Sequence, residues 1–490
     1  MSKADYRSAV PEIRGELVSL QHRLRLQAGP PVIIVVGGLN CAGRSEIANL
    51  LNEWMDPRFI ATEAYWKPSQ EERARPPFWR YWRDLPPDGR IGVFMHAWYT
   101  RPAVRRFNRK LGKKAFRRHL DHVVSFESLL AADGVAFVKL WMHLDRDTQR
   151  QRLDELRRDR LKRWRVGEMD PELSRRYDRY LAIVAEAVER TSTVAAPWIV
   201  VDGSDRRSRE LVVGRTVRDV LRRQLEPDGS AAAEARRADD ESGTVRVDHG
   251  AAQASALAAL DMDRHVSKTH YKKQLAVLQG RVNRLARLAR ERRLPVVAVF
   301  EGWDAAGKGG AVRRLTAAMD VRDYRVIPIA APSDEERAHH YLWRFWRHLG
   351  RAGRMTIFDR SWYGRVLVER VEGFASRPEW RRAYGEIVDF EEQLVDFGTV
   401  LLKFWIHITP DEQLRRFEQR ESTPYKRWKL TDEDWRNREK WKQYATAVDD
   451  MVARTSTGSA PWTLVEGNCK RYARLKVLRT VAEALDEALD

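Results

Sequence analysis

Residues 302–309 read Gly302-Trp303-Asp304-Ala305-Ala306-Gly307-Lys308-Gly309. Glycines at this spacing let a backbone turn close around a phosphate. The amides of the helix that follows point at it, and the ammonium of Lys308 adds a point charge. The backbone groups expected to face phosphate are those of Gly302, Ala305, Ala306, Gly307, Gly309 and Gly310. Loops of this kind usually end in Ser or Thr, whose hydroxyl holds Mg²⁺, but Gly309 stands there instead. Another oxygen must then hold the metal, and Asp304, inside the loop, is the candidate. A second carboxylate, Asp359, ends the apolar run in "RMTIFDR". At the carboxyl edge of a strand beside the loop it is placed to share a metal with Asp304 and bridge phosphoryl oxygens. Asp359 is also of the type that caps a helix, which is the competing role. Arg360 and Arg365, in "FDRSWYGR", are expected to face the phosphates or the acceptor.

A third stretch, residues 414–442, reads "LRRFEQRESTPYKRWKLTDEDWRNREKWK". Its dense charge suits a helical lid over the loop. Arg416 and Arg420 share one helix face and are candidates to close on a transferring phosphoryl group. A solvated helix with internal ion pairs would use the same residues. Lys426 and Arg427, in the basic turn "TPYKRWK", are expected to contact substrate beside Trp428; a core role for Trp428, which the first copy keeps as Trp164, is the competing reading.

These groups need a scaffold that brings the loop, the strand end and the lid to one edge. The order of elements provides it. A basic helix ("YKKQLAVLQGRVNRLARLARERR") precedes a buried strand ("PVVAVF") that runs into the loop. Strands at "TIFD", "TVLLKFWIHI" and "WTLVEG" follow, separated by helical segments. Continuously apolar strands alternating with helices indicate a parallel sheet covered on both faces, a three-layer α/β/α fold. The whole pattern occurs twice. Gly302 is answered 264 positions earlier by Gly38, and the same offset pairs Trp343 with Trp79, Trp362 with Trp98, Phe390 with Phe126 and Trp428 with Trp164. This is a tandem duplication. One domain is expected at residues 1–225, a linker rich in Ala, Gly, Asp and Ser at 226–260, and a second domain at 261–490.

The chain has 490 residues and a net charge of +19. The length suits two domains, and the charge predicts an anionic partner. Its 43% hydrophobic content excludes a disordered chain. Two cysteines, Cys41 and Cys469, make no disulfide framework, and no signal-peptide core or membrane-length apolar run is present. The expected setting is a reducing cytoplasm with no membrane partner.

The loop with its internal Asp, "FDRSWYGR" at that distance, the basic lid near "YKRWK" and the leading "SKTHYKK" together resemble the polyphosphate kinase 2 family. The resemblance spans nearly all of the second copy and, at lower fidelity, the first. The two-copy architecture resembles the subgroup that phosphorylates nucleoside monophosphates from inorganic polyphosphate. It implies Mg²⁺ as cofactor, AMP as acceptor and a P-loop kinase-like fold. The family's functional residues fall on Asp304, Lys308, Asp359, Arg360 and Arg420, with Asp304 and Asp359 as the metal carboxylates. A homodimer is compatible with it. Rival readings are an ADP acceptor, an ordinary ATP-dependent nucleotide kinase, and a basic nucleic-acid-binding protein. The last has no use for Asp304 and Asp359, which repel phosphates without metal, so nucleic acid is not the expected partner.

The first copy departs at these positions. Arg44 stands for Lys308, Asn40 for Asp304, Met95 for Asp359, His96 for Arg360 and Leu156 for Arg420. Gly38, Gly43, Trp98, Tyr99 and Arg101 persist. The first copy is therefore expected to keep the fold without the reaction, as a packing partner or an extension of a basic track.

Overall fold

The computed structural model describes residues 1–226, 255–423 and 432–490. Most of the expected linker, together with Lys426, Arg427 and Trp428, lies outside the described residues. Two compact units make up the chain. One comprises Met1–Ser69, Arg80–Ala238 and Asp334–His340, and the other Gln70–Trp79, Asp239–Ser333 and Tyr341–Asp490.

The first unit holds strands β1 (Val32–Gly38), β2 (Ile60–Ala64), β3 (Ile91–Met95), β4 (Ala136–His143) and β5 (Trp198–Asp202). They form a sheet in the order β2-β3-β1-β4-β5, with every pairing parallel. The second unit holds β6 (Val296–Gly302), β7 (Tyr324–Pro328), β8 (Met355–Asp359), β9 (Val400–His407) and β10 (Trp462–Glu466). Their order, β10-β9-β6-β8-β7, is the same topology, again wholly parallel. The three-layer α/β fold, duplicated, is thus as expected. The sequence showed four strands per copy, and the structure adds an edge strand, "YRVIP" in the second unit. Its burial alternates and it ends in Pro328, so it lacks the continuous apolar run of a central strand.

Central strands are apolar along their length because helices cover both faces. In β6, Val297, Ala298, Val299 and Phe300 are buried. Register then positions the chemistry. Phe300 lies level with Asp359 on β8, and Gly302 with Ile406 on β9, so the loop and the acidic strand end emerge side by side. Helix boundaries are locally encoded. Thr409 caps Pro410–Glu421 by accepting from the Glu412 amide, with Pro410 at the first helical position, where its missing N–H costs nothing. Among the described residues no helix is long and apolar enough to cross a membrane.

Among the described residues each unit buries one lysine in its core. Lys403, mid-strand in β9, donates to Glu391 at 2.7 Å, to Tyr363 Oη at 3.2 Å and to the Thr455 carbonyl at 2.6 Å. Trp362 and Tyr363 also donate to Glu391, fixing the turn that follows Asp359. The first unit repeats this with Lys139, Glu127, Tyr99 and the Thr191 carbonyl at 2.7, 3.2 and 2.6 Å. A network kept in a copy that has Asn40 and Met95 where the other has Asp304 and Asp359 is structural. Removing one partner leaves a buried charge uncompensated, at a cost of about 3–5 kcal/mol. Lys403→Met and Lys139→Met are each expected to lower the thermal midpoint by several degrees. Lys403→Met/Glu391→Leu should lose less than the sum of its single changes, which a double-mutant cycle by calorimetry checks.

Candidate active site

The loop's shape rests on backbone conformations that few residues accept. Gly302 has φ +146°, and a Cβ there would collide with the Ile406 carbonyl oxygen. Gly307, at φ +114°, opens the helix Lys308–Thr316. Ala305 and Arg360 adopt left-handed φ of +60° and +66° despite their side chains. Each such residue stores on the order of 1 kcal/mol of strain, the kind that clusters at functional sites. The first unit has the same backbone at the matching positions: Gly38 (+144°), Gly43 (+94°), Cys41 (+63°) and His96 (+58°).

A cleft of about 630 Å³ opens above the second unit's loop. It gathers Asp304, Lys308, Asp359, Arg360, Arg416 and Arg420, with loop residues Ala305, Ala306, Gly307, Gly309 and Gly310. Asp304 accepts from Asn437 Nδ2 at 2.9 Å and lies 3.5 Å from Arg360 Nη2. Asn437 belongs to the helix Asp432–Glu439, so a lid element reaches the loop's own carboxylate. Lys308 folds back along the loop, its Nζ 2.5 Å from the Gly302 carbonyl and 3.3 Å from that of Trp303. Trp303 donates to His407 Nδ1 and stacks flat on Trp441, 3.7 Å between ring centres. The loop is thereby clamped to the helix Trp441–Thr455.

Arg416 belongs elsewhere than expected. Its Nε donates to Glu412, Nη1 to the Ala305 and Ala306 carbonyls, and Nη2 to those of Gly467 and Asn468. All of its N–H donors are spent. It braces the loop by its carbonyl side and has none left for a phosphate. The first unit keeps this brace in Arg152, which donates to the Cys41, Gly203 and Ser204 carbonyls. Arg365 does not line the cleft; it pairs with Glu369 at 3.2 Å and lies over the Tyr341 ring. Gly302 sits in the sheet below the cleft.

Several cleft residues carried no motif. Glu433, Asp434 and Asn437 come from the lid, Arg313 from the loop's helix, and Lys470 and Arg474 from the helix Lys470–Leu489. Glu301, directly before the loop, is buried and accepts from Ser361 at 2.8 Å. Burial pushes its carboxyl above the usual range, against the pull of Lys308. The first copy has Gly37 and Ala97 there, a difference that could have flagged the pair.

The donor set suits Mg²⁺. That ion takes hard oxygen ligands, commonly one or two carboxylates completed by water and substrate phosphate. Asp304 and Asp359 supply two such carboxylates in one cleft, and no cluster of three or more His, Cys, Asp or Glu competes among the described residues.

In the first unit the matching side chains satisfy one another. Arg44 donates to Asn40 Oδ1 at 2.9 Å, and Asn40 donates to Asp170 at 2.6 Å. His96 lies 3.5 Å from Arg44, and burial with that guanidinium pushes it down to about 4, so it is neutral at pH 7.

A parallel sheet with a glycine-lysine loop after its central strand, an acidic strand end beside it and an arginine-bearing helical cover defines a P-loop kinase, here duplicated. The family model for polyphosphate kinase 2 (PPK2) matches residues 1–228 and 265–490. The chain belongs to this family and is by class a polyphosphate-dependent nucleotide phosphotransferase. It is 47% identical to a polyphosphate:AMP phosphotransferase of Pseudomonas aeruginosa over 100% of this chain and 97% of that one. It is 44% identical to another of that name from Pseudomonas syringae pv. tomato, over 99% and 96%. A crystal structure of a polyphosphate kinase 2 from Pseudomonas aeruginosa superposes with a TM-score of 0.87 at 45% identity, covering 100% of this chain and 97% of that one.

Proposed function

We propose that this chain transfers a phosphoryl group from inorganic polyphosphate to AMP, giving ADP and a polyphosphate one unit shorter, in the second unit and with Mg²⁺. The observation that carries the reading is the contrast between the units. Both keep the loop backbone, but only the second surrounds it with Asp304, Lys308, Asp359 and Arg360. Full-length relatives bearing the polyphosphate:AMP name support the acceptor.

Little covalent chemistry is asked of the protein; alignment and charge suffice. The loop amides and Lys308 hold the donor's terminal phosphates. Arg360, beside Asp359, and Arg420, on the lid helix, meet the charge that spreads over the transferring group. Asp304 and Asp359 would hold Mg²⁺, which when bound withdraws charge from phosphoryl oxygens. Asn437 orients Asp304, and Arg416 keeps the loop's carbonyl side rigid so that its amides face inward.

The test uses the full chain with Mg²⁺, long-chain polyphosphate and AMP, following nucleotides by chromatography. ADP is expected, and EDTA should stop its formation. Turnover with ATP as donor but none with polyphosphate would overturn the donor; ATP formed from ADP, with AMP untouched, would overturn the acceptor.

A further inference from the structure

The first unit answers the second unit's lid with a more basic segment. Residues 157–165 read "RRDRLKRWR", six cations and one acid, where residues 421–429 read "ESTPYKRWK", three cations and one acid. The excess falls in the copy with Asn40 and Met95 in place of Asp304 and Asp359, so a metal site does not account for it.

The segment is built to hold these cations outward. The helix Arg146–Arg158 ends in Arg157 and Arg158, where positive charge suits the helix dipole. A turn then leads to the short 3-10 helix Arg163–Arg165. Asp159, the one acid, is spent on the turn: it accepts from the Leu161 amide at 2.9 Å and pairs with Lys162 at 2.8 Å. Trp164 Nε1 donates to the Leu161 carbonyl at 2.8 Å, and Arg165 lies over the indole. Side chains of the segment thus order it from within. Arg157, Arg158, Arg160, Arg163 and Arg165 are all exposed, and among the described residues none of the five has an ion-pair partner.

These arginines serve the surface and not an internal cleft. The first unit's loop is already engaged by the stretch that follows, where Asp170 accepts from Asn40 at 2.6 Å and from the Gly167 amide at 2.9 Å. Unpaired guanidinia this close along a chain repel one another. A flexible polyanion that meets several at once relieves the repulsion and releases counterions.

We propose that residues 157–165 of the first unit are a docking site for inorganic polyphosphate, separate from the second unit's cleft. The inference rests on polyphosphate as the donor. Guanidinium forks match phosphate oxygens, and polyphosphate offers these at every unit along its length. The segment contains no Asn or Gln to read a base edge, and its Trp164 is engaged in ordering the turn, which favours polyphosphate over nucleic acid. A chain long enough to hold both the docking site and the cleft is bound twice. Its second engagement is intramolecular, so long donors gain and short ones do not.

The test compares the full-length wild type with Arg158→Gln/Arg160→Gln/Arg163→Gln, with melting curves alongside. KM for long-chain polyphosphate should rise about fivefold or more, while kcat and the KM values for tripolyphosphate and AMP stay within about twofold. The dependence of log KM for the long chain on log NaCl should become shallower by about 0.7 per cation removed. Arg157→Gln/Arg165→Gln, at the two ends of the segment, should act in the same direction and covers the case in which the triple variant does not fold. An unchanged long-chain KM and salt slope would overturn the inference. So would an equal rise in KM for tripolyphosphate, which would place these contacts at the reacting end of the donor. Single-stranded RNA that binds wild type and not the variant, with every polyphosphate parameter unchanged, would assign the segment to nucleic acid instead. Wild type that transfers nothing from polyphosphate would overturn the donor reading, a separable result, since direct polyphosphate binding by wild type and variant still reports on the docking site.

Discussion

Asp359→Asn is expected to cut kcat/KM for the transfer by about 10³-fold or more, equivalent to about 4 kcal/mol of lost transition-state stabilisation. The amide keeps the shape of the carboxylate and removes its charge. The fold should not notice, because Asp359 is held through its backbone. It lies in register with Phe300 and Pro328, and its carbonyl accepts from the Ile329 amide at 3.0 Å. Loss of activity with an unchanged melting curve therefore assigns the defect to charge. The companion change, Met95→Asp in the first unit, should restore nothing measurable. There Arg44 is bonded to Asn40 and Asn40 to Asp170, so a carboxylate added on β3 meets a side-chain network already closed on itself and finds Arg44 in place of the lysine. An Asp359→Asn enzyme of normal rate would remove the metal role from this residue and leave Asp304 to be explained alone.

What the sequence made legible follows from how locally each feature is encoded. The glycines and the lysine of the loop sit within a few residues, and buried strands announce themselves by continuous apolar runs, so the duplication and most of the sheet could be read directly. Asp359 was placed because it ends such a run. Arginine roles were not legible, because a guanidinium's partner depends on tertiary geometry. Arg416 and Arg420 share a helix face and both line the cleft, yet Arg416 turns its whole fork onto Glu412 and the loop and strand-end carbonyls. Arg365 sits in the same short motif as Asp359 but turns to Glu369 and Tyr341.

Lys470 and Arg474 were missed for a different reason. On an amphipathic C-terminal helix, basic residues look like a solvated face, and only the position of β10 at the sheet edge carries them to the cleft. Comparing the copies was the available signal, since Arg474 opposite Glu210 is a charge reversal on an otherwise matching helix. Glu301 could have been found the same way. A carboxylate near the end of a central strand, with glycine in the first copy, is costly to bury unless cations such as Lys308 stand near it.

Lys308→Arg is the second large effect, and the first unit supplies its mechanism. The change keeps the charge, so a reading based on net electrostatics alone predicts little. The geometry predicts a loss of about 10²–10³-fold in kcat/KM. Lys308 fits because a compact ammonium can fold against the Gly302 carbonyl at 2.5 Å and still present its charge to the loop. A guanidinium is planar and longer, and Arg44 shows where it goes: to the side chain four residues earlier, Asn40, at 2.9 Å. In the second unit the side chain four residues earlier is the carboxylate of Asp304. The introduced guanidinium would form an ion pair with it, drawing Asp304 away from the metal and the cation away from the phosphate. The two losses would then be one event, and this can be measured. If the pair forms, Lys308→Arg and Asp304→Asn are strongly non-additive, and the double variant is little worse than Asp304→Asn alone. If the residues act independently, their effects multiply in the double variant, and the explanation by capture of Asp304 fails. Arg44→Lys in the first unit is the control; it should leave transfer unchanged, because Asn40 and Met95 still stand there where the second unit has Asp304 and Asp359.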